Sequence, residues 1–491
     1  MNKKWIHEPH IYKQQKPFNP EIGNLKQAAK EIIKAINENK KITVFADYDV
    51  DGISAATIMY KALLPLVQKE QLQIYLPNRQ EGYGLNMKFI EQTKADLIIT
   101  VDNGITAVEQ VKKAKELGKQ IIVTDHHTPQ ETIPDCIIVN PKLDNNEYIK
   151  DICGTAVAWY LCDEIYKILG KSLDYLYAMT DIVALATVAD LVPMYNANRD
   201  ITKYGLELMA KNQFSSEGLR QIVMTKVKLQ YGIESEDIGF SVAPIFNALG
   251  RLEDPNLAFQ ILAQNKIDLI PYALNLNENR KALQNEKFIT SLSEADLNNN
   301  FIIYVDDTIE KGMIGLVAGD LCNKFNKPTI VISRGHGSGR SVYDISIFDI
   351  VKQAEEYLNG WGGHSQALGL NINPENIESF KNKIYDLTKD LVIIPILKYH
   401  DEIHLQNINQ SLNFIKSVKP FGQDNPEPKW LIKDLKIYEQ KIIGKNKNVL
   451  MMNLSGRKAF MFKTFDLIPK NTIDIICTIK RDGNLQIEDW R

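Results

Sequence analysis

Between Ile42 and Asn140 the chain repeats one pattern, a short and nearly continuous apolar run followed by a longer stretch of helical periodicity. The runs are ITVFA, LQIYLP, ADLIITVD, QIIVTD and CIIVNP. Strands that are apolar at successive positions, rather than at alternate ones, are buried on both faces, as in a parallel sheet covered by helices. The N-terminal region is therefore expected to be an α/β layer structure with its sites at the carboxyl ends of the strands. Several runs end in acidic or histidine residues: Asp47, Asp49 and Asp51 after ITVFA, Asp102 in LIITVDNG, and Asp125, His126 and His127 in IIVTDHH.

The 491 residues exceed what one hydrophobic core organises and suggest about three domains. Residues 151 to 235 read as helical and include DIVALATVADLVPM, an apolar helix broken at Pro193 with Asp190 near its end. Helical periodicity returns from 254 to 298, with a break near Pro271. A second α/β pattern follows: FIIYVDD, the helix GMIGLVAGDLCNKF, the strand PTIVIS, and two glycine-rich loops, GHGSGRS and GWGGHSQALG. The last hundred residues carry short alternating runs such as KWLIKDLKIYE and DIICTIK, the pattern of a small β-barrel. The expected boundaries are 1–245 for the first α/β domain, 246–300 for a helical connector, 301–392 for the smaller α/β domain and 393–491 for the barrel.

With 44% hydrophobic and 24% charged residues, the composition is that of a soluble globular protein. The segment MNKKWIHEPHIYKQQKPF lacks the apolar core of a signal peptide, and no run approaches the ~20 apolar residues of a membrane span. A cytoplasmic location without a membrane partner is expected. Five scattered cysteines, with no C-x-x-C pair, argue against a disulfide framework or a zinc knuckle. Residues 391 to 491 hold 16 Lys and Arg against 11 Asp and Glu, on a chain of net charge −3, which points to a partner for that basic segment.

DYDVDG, residues 47 to 52, has the spacing of the first half of an EF-hand calcium loop. Such a loop needs a glutamate at its twelfth position and a helix leading in, whereas Ile58 and the strand ITVF stand there. What remains is a strand ending in carboxylates, with Gly52 permitting a tight turn before a helix that begins at Ile53. Any one of the acidic strand ends is as well explained by a turn or a helix cap. All of them in one chain, each closing an apolar segment, favour a metal site. Oxygen ligands with one or two imidazoles suit Mg²⁺ or Mn²⁺, in numbers sufficient for two ions sharing a bridging ligand, which predicts metal-assisted phosphoester hydrolysis.

FADYDVDG, VDNGIT, TDHH and ATVADLVP resemble the four successive motifs of the DHH phosphoesterase superfamily, named for the triplet that here is Asp125, His126 and His127. GWGGHSQALG resembles the GGH signature of the associated second domain. VAPIFNALGR, GMIGLVAGDL, GSGRS and VKPFGQDNPEP are similar, in place and order, to segments of the RecJ family of bacterial single-strand-specific exonucleases. The likeness implies a parallel-sheet DHH domain, a helical connector, a smaller α/β DHH-associated domain and a C-terminal OB-like β-barrel. It implies that Asp49, Asp51, Asp102, His126 and Asp190 hold two Mn²⁺ or Mg²⁺ ions, with Asp102 bridging. Asp47 would be either a further ligand or a carboxylate that fixes the others, and His127 would orient or polarise the scissile phosphate. His364 in the GGH loop would face the active site across an interdomain cleft. Arg340 and Ser338 would hold a terminal phosphate. Asn247 and Arg251 are substrate-binding candidates, with an ion pair an equal reading for Arg251.

The implied activity is 5′→3′ hydrolysis of single-stranded DNA to 5′-mononucleotides in repair and recombination. A single-strand-binding protein and a helicase would be further partners of a monomeric chain. In the barrel, Phe460, Phe462 and Phe465 are candidates for base stacking, with core packing the blander reading. Three segments depart from the family pattern: Ile245 replaces an arginine, Ile309 and Glu310 replace tryptophan and histidine, and Asp424 replaces a glycine. These bear on substrate grip rather than on catalysis. The competing functions are an oligoribonuclease or cyclic-dinucleotide phosphodiesterase of the same superfamily, and a non-catalytic DNA-binding scaffold.

Overall fold

The structure, a computed structural model, describes residues 3–12, 19–82, 84–342, 345–444, 447–462, 464 and 466–491. The chain divides into two compact units, one of residues 9–277 with 400–491 and one of residues 1–8 with 278–399.

In the first unit, β1 (Ile42–Ala46), β2 (Leu72–Tyr75), β3 (Leu97–Val101), β4 (Gln120–Thr124) and β5 (Ile137–Val139) form an all-parallel sheet in the order β2-β1-β3-β4-β5. Every residue of β1 and β3 is buried, as their unbroken apolar character requires. Helices α1 (Leu25–Asn37), α2 (Val50–Leu63) and α3 (Gly154–Ile168) pack on one face through Ile32, Ile53, Met59 and Val157. Phe89, Val111 and Ala114 close the other face against Phe45, Ile98 and Val123. Helices α4 (Thr180–Ala189) and α5 (Ala243–Leu252) join the first of these cores, which continues to Ala273. The strand order reverses between β1 and β3, and in open α/β sheets the crevice at that reversal is where ligands bind. Among the described residues no helix is long and apolar enough to cross a membrane.

Helix α6 (Ile270–Glu294) leads into the second unit. There β6 (Ile302–Val305), β7 (Thr329–Ser333), β8 (His336–Arg340), β9 (Leu358–His364) and β10 (Ala367–Ile372) form a mixed sheet in the order β9-β10-β8-β7-β6, with α7 (Ile314–Phe325) packed on it. The two glycine-rich segments expected as loops are strands: GHGSGRS supplies β8, and GWGGHSQALG supplies the β9–β10 hairpin. Their glycines serve packing. A Cβ at Gly337 would meet Leu370 Cδ1 at 2.6 Å, and one at Gly339 would meet Ile347 Cδ1 at 2.7 Å. Since β8 is paired on both sides, its amides belong to the ladder and are not open to an anion.

The barrel is part of the first unit. Strands β11 (Trp430–Ile443), β12 (Val449–Leu454), β13 (Arg457–Phe462), β14 (Thr472–Ile479) and β15 (Leu485–Trp490) run in the order β11-β12-β13-β15-β14, and β14 pairs back onto β11 to close it. PFGQDNP fastens this barrel to the α/β part. The Met194 N–H donates to Gln423 O (2.7 Å), Arg199 donates to the carbonyls of Ser417 and Lys419 (2.8 and 3.2 Å), and Lys419 pairs with Glu234.

Candidate metal centre

Each acidic motif reaches the switch-point crevice by its own local device. Asp49 caps α2, accepting the N–H groups of Asp51 and Gly52 (3.0 and 3.2 Å). Gly52 is not the turn expected of it but lies in the first turn of α2, where a Cβ would stand 2.5 Å from Asp47 O. Asp102 leaves β3 at a φ of 61°. Its turn is locked by the Thr100 hydroxyl donating to Asn103 O (2.7 Å) and by Asn103 Nδ2 donating to Val101 O (2.9 Å). Helix α4 ends at Asp190, ahead of Pro193, and Leu191 follows at a φ of 57°.

These turns bring Asp47, Asp49, Asp51, Asp102, His126, His127 and Asp190 together. Their donor atoms form three overlapping groups, each within 4.8 Å: Asp47, Asp49 and Asp102; Asp51, His126 and Asp190; and Asp102, His126 and His127. His126 Nε2 lies 3.1 Å from Asp102 Oδ1, 3.6 Å from Asp190 Oδ2 and 3.7 Å from Asp51 Oδ2. Yet His126 Nε2, Asp102 Oδ1 and Asp47 Oδ1 are buried atoms with no hydrogen-bond partner among the described residues. Buried polar atoms are normally satisfied, so donors that converge without bonding one another have the geometry of ligands around a shared cation. Asp125 stands apart from this set. Its carboxylate accepts from the N–H groups of Ile105, His126 and His127 and from His127 Nδ1 (2.7 Å), so it anchors the histidines.

The electrostatics agree. Asp47, Asp102 and Asp190 are held well above the ordinary carboxylate range, first by burial and then by neighbouring charge, from Asp49 on Asp47 and from Asp51 on the other two. Asp49 is raised by burial and by Asp51. Burial pushes His126 down to about 4, leaving a neutral ring with a lone pair for ligation. For His127 burial opposes the charge, but the hydrogen bond to Asp125 and the surrounding carboxylates raise its pKa above the usual imidazole value. Crowded carboxylates with one neutral imidazole fit a hard divalent cation.

The remaining candidates are not among these converging donors. Asn247 and Arg251 are half-buried on α5. In the second unit Arg340 Nη1 donates to Ser338 Oγ (3.0 Å) and to Gly339 O (2.7 Å), and Gly315 of α7 leaves room for the guanidinium. His364 ends β9 and is exposed. Of the three departures, Ile245 and Ile309 are core residues, and Asp424 sits at a φ of 56°, which explains why a glycine suits that position. Phe460 and Phe462 occupy the face of β13 opposite the core-facing Ala459 and Met461, whereas Phe465 lies outside the described residues.

Two contributions escaped the sequence reading. The first turn of α3 holds Asp51: Gly154 N–H donates to Oδ2 (2.6 Å), Thr155 N–H to Oδ1 (2.8 Å), and the Thr155 hydroxyl to Asp51 O (2.7 Å). A Cβ at Gly154 would also press on Asp102 Oδ1 at 2.6 Å. Arg79 lies over the Tyr48 ring (4.3 Å), donates to Gly250 O (3.0 Å) and eases the charge on Asp47 and Asp49. In CGTAVAW a glycine and a threonine opening an apolar helix were the available signal for the first. Nothing in the sequence marked the second.

Residues 41–187 match the DHH family, N-terminal domain; 298–390 match the DHHA1 domain; and 400–490 match the RecJ OB domain. The single-stranded-DNA-specific exonuclease RecJ of Bacillus subtilis is 29% identical over 96% of this chain, which spans 62% of that protein. The Escherichia coli RecJ is 26% identical over 89% of this chain and 82% of its own length. The crystal structure of Thermus thermophilus RecJ in complex with Mn²⁺ superposes with a TM-score of 0.85 at 26% identity, covering 97% of this chain and 72% of that one. The chain thus carries DHH, DHHA1 and RecJ OB domains in succession and is similar to RecJ exonucleases along most of its length.

Proposed function

We propose that this chain is a Mn²⁺- or Mg²⁺-dependent exonuclease that degrades single-stranded DNA from its 5′ end to 5′-mononucleotides, in DNA repair and recombination. The observation that carries this is the convergence of Asp47 Oδ1, Asp102 Oδ1 and His126 Nε2, buried and unbonded, at the strand ends of the DHH domain. Asp49, Asp51, Asp102, His126 and Asp190 would hold two ions, with Asp102 shared and Asp47 a further ligand. Bound there, the ions would supply Lewis-acid polarisation of the phosphodiester and a water of lowered pKa.

The chain's own groups do the rest. Asp125 fixes His127 through Nδ1, and His127 would orient or polarise the scissile phosphate. Against the effect of burial, the hydrogen bond to Asp125 raises the pKa of His127 and so favours the protonated ring as negative charge grows on the phosphate. Arg340 and Ser338 lie side by side and suit a terminal phosphate, which the planar guanidinium can grip through two N–H groups. Asn247, Arg251 and His364 are kept as further substrate contacts, with His364 also acting in catalysis. The basic barrel, with Phe460 and Phe462 on its outer face, supports a grip on a long strand. A single-strand-binding protein and a helicase as partners, a monomeric state and a cytoplasmic location rest on the family likeness.

Digestion of 5′-blocked and 3′-blocked single strands and of duplex, with Mn²⁺ present and beside an Asp102→Ala variant, tests this. Degradation of the 3′-blocked strand alone, abolished by the substitution, is expected. Activity confined to dinucleotides would move the assignment to the oligoribonuclease and cyclic-dinucleotide reading. Full activity in the variant would overturn the metal centre itself.

A further inference from the structure

We infer that Phe240 is a stacking platform for one unpaired nucleobase at the rim of the metal centre. This rests on the exonuclease reading and gives that site a specificity element. Phe240 is 77% exposed and Leu191 71% exposed, and each is turned outward by a backbone irregularity. Phe240 sits in a single π-helical turn, Ile238–Val242, a geometry uncommon in proteins and concentrated at functional sites. Leu191 adopts the left-handed conformation at a φ of 57°, which residues with a Cβ avoid.

Both irregularities flank Asp190. A Cβ at Gly239 would stand 3.4 Å from Val188 Cγ1, so the π turn lies against the last turn of α4, which ends at Asp190. Downstream the same segment becomes α5, whose Gly250 packs on the Tyr48 carbonyl between Asp47 and Asp49. The segment from Phe240 to Arg251 thus runs from the helix that ends at Asp190 to the turn that carries Asp47 and Asp49. The turn is anchored at its base, because Glu234 pairs with Lys419 and the Ser235 hydroxyl donates to Phe421 O at 2.6 Å. A fixed aromatic disc beside a phosphate-handling centre matches a nucleobase of the strand whose phosphate lies there. In a duplex both faces of each base are already covered by neighbours, so such a platform accepts only an unpaired strand.

The test compares Phe240→Leu and Phe240→Trp by fluorescence anisotropy, each in an Asp102→Asn background so that the strand stays intact. The probes are a 5′-phosphorylated oligothymidylate and the same strand with abasic sites at its 5′-terminal positions. On the intact strand Phe240→Leu is expected to raise Kd about tenfold or more, from the energy of one stacked base, and Phe240→Trp to restore it. On the abasic strand the Leu variant and its parent are expected to bind alike. An unchanged Kd for Phe240→Leu on oligothymidylate, or an equal loss on both strands, overturns the platform alone. A chain with Phe240 intact that binds neither strand overturns the exonuclease reading and the platform with it.

Discussion

Asp102 leaves β3 in the left-handed region at a φ of 61°, and this carries its carboxylate to within 3.1 Å of His126 Nε2. It belongs to two of the three donor groups, one with Asp47 and Asp49 and one with His126 and His127. Replacing it with asparagine therefore weakens both groups at once. Metal ions contribute several kcal/mol to charge stabilisation, so at about 1.4 kcal/mol per tenfold the nuclease rate is expected to fall about a thousandfold, with Mn²⁺ affinity falling in calorimetry. A normal Mn²⁺ isotherm for Asp102→Asn would remove it from the ligand set. Gly154 acts one step further out. Its amide holds Asp51 and its missing side chain makes room for Asp102, so Gly154→Ala is expected to lower Mn²⁺ affinity about 10- to 100-fold. Thr155→Val, which loses only the hydroxyl bond to Asp51 O, should do less. If Gly154→Ala binds Mn²⁺ like the parent, α3 does not position the ligands.

At the scale of elements, β8 separates two jobs that its sequence runs together. Gly337 and Gly339 make room for Leu370 and Ile347, while Arg340 faces Ser338 and Gly315. Gly339→Ala should destabilise the fold by about 1–3 kcal/mol through overpacking, measured by urea unfolding, and should leave in place the preference for 5′-phosphorylated ends that the proposed phosphate site implies. Arg340→Ala should do the reverse, erasing that preference at nearly unchanged stability; a retained preference would remove the arginine from the phosphate pocket. That two-sided role was not legible in GHGSGRS, because glycine carries no apolar alternation and its run reads as a loop. The parallel sheet, by contrast, could be read strand by strand, since burial on both faces writes itself into every residue of ITVFA and LIITV. The carboxylates at the strand ends were legible for the same reason: a polar residue closing an apolar run is conspicuous. The role of α3 was not, because Gly154 meets Asp51 across 103 residues of chain and no local pattern encodes that contact. Gly52 was misread as a turn because spacing cannot tell a glycine chosen for φ from one chosen for close approach to a backbone.

For the whole molecule the acidic centre sets how stability depends on pH. Asp47, Asp49, Asp102 and Asp190 all have folded pKa values above the ordinary one. Asp181, at the other end of α4, is pushed up to about 6 by burial. Such carboxyls bind protons in the folded chain at pH values where the unfolded chain has released them. The stability they confer is therefore full below about pH 4 and is lost as pH rises through their folded pKa values. His127, also raised, acts in the same direction above its ordinary value near pH 6.5. His126, lowered to about 4, acts the opposite way, favouring the fold as pH rises toward about 6.5, but it is one group against several. Freed of metal by EDTA, the chain should melt at progressively lower temperature as pH rises above about 6.5, where His126 no longer opposes the loss of protons from the raised carboxyls and His127. A divalent cation takes the place of those protons and binds the deprotonated ligands more tightly as pH rises. At a hundredfold excess over its Kd it adds about 2.7 kcal/mol, so the gap between the Mn²⁺ and EDTA melting curves should widen with pH. Scanning calorimetry at four pH values, with and without Mn²⁺, measures that gap directly. Parallel curves would mean that the ion and the protons do not compete for the same carboxylates, and the centre at the strand ends would not be the one that holds the metal.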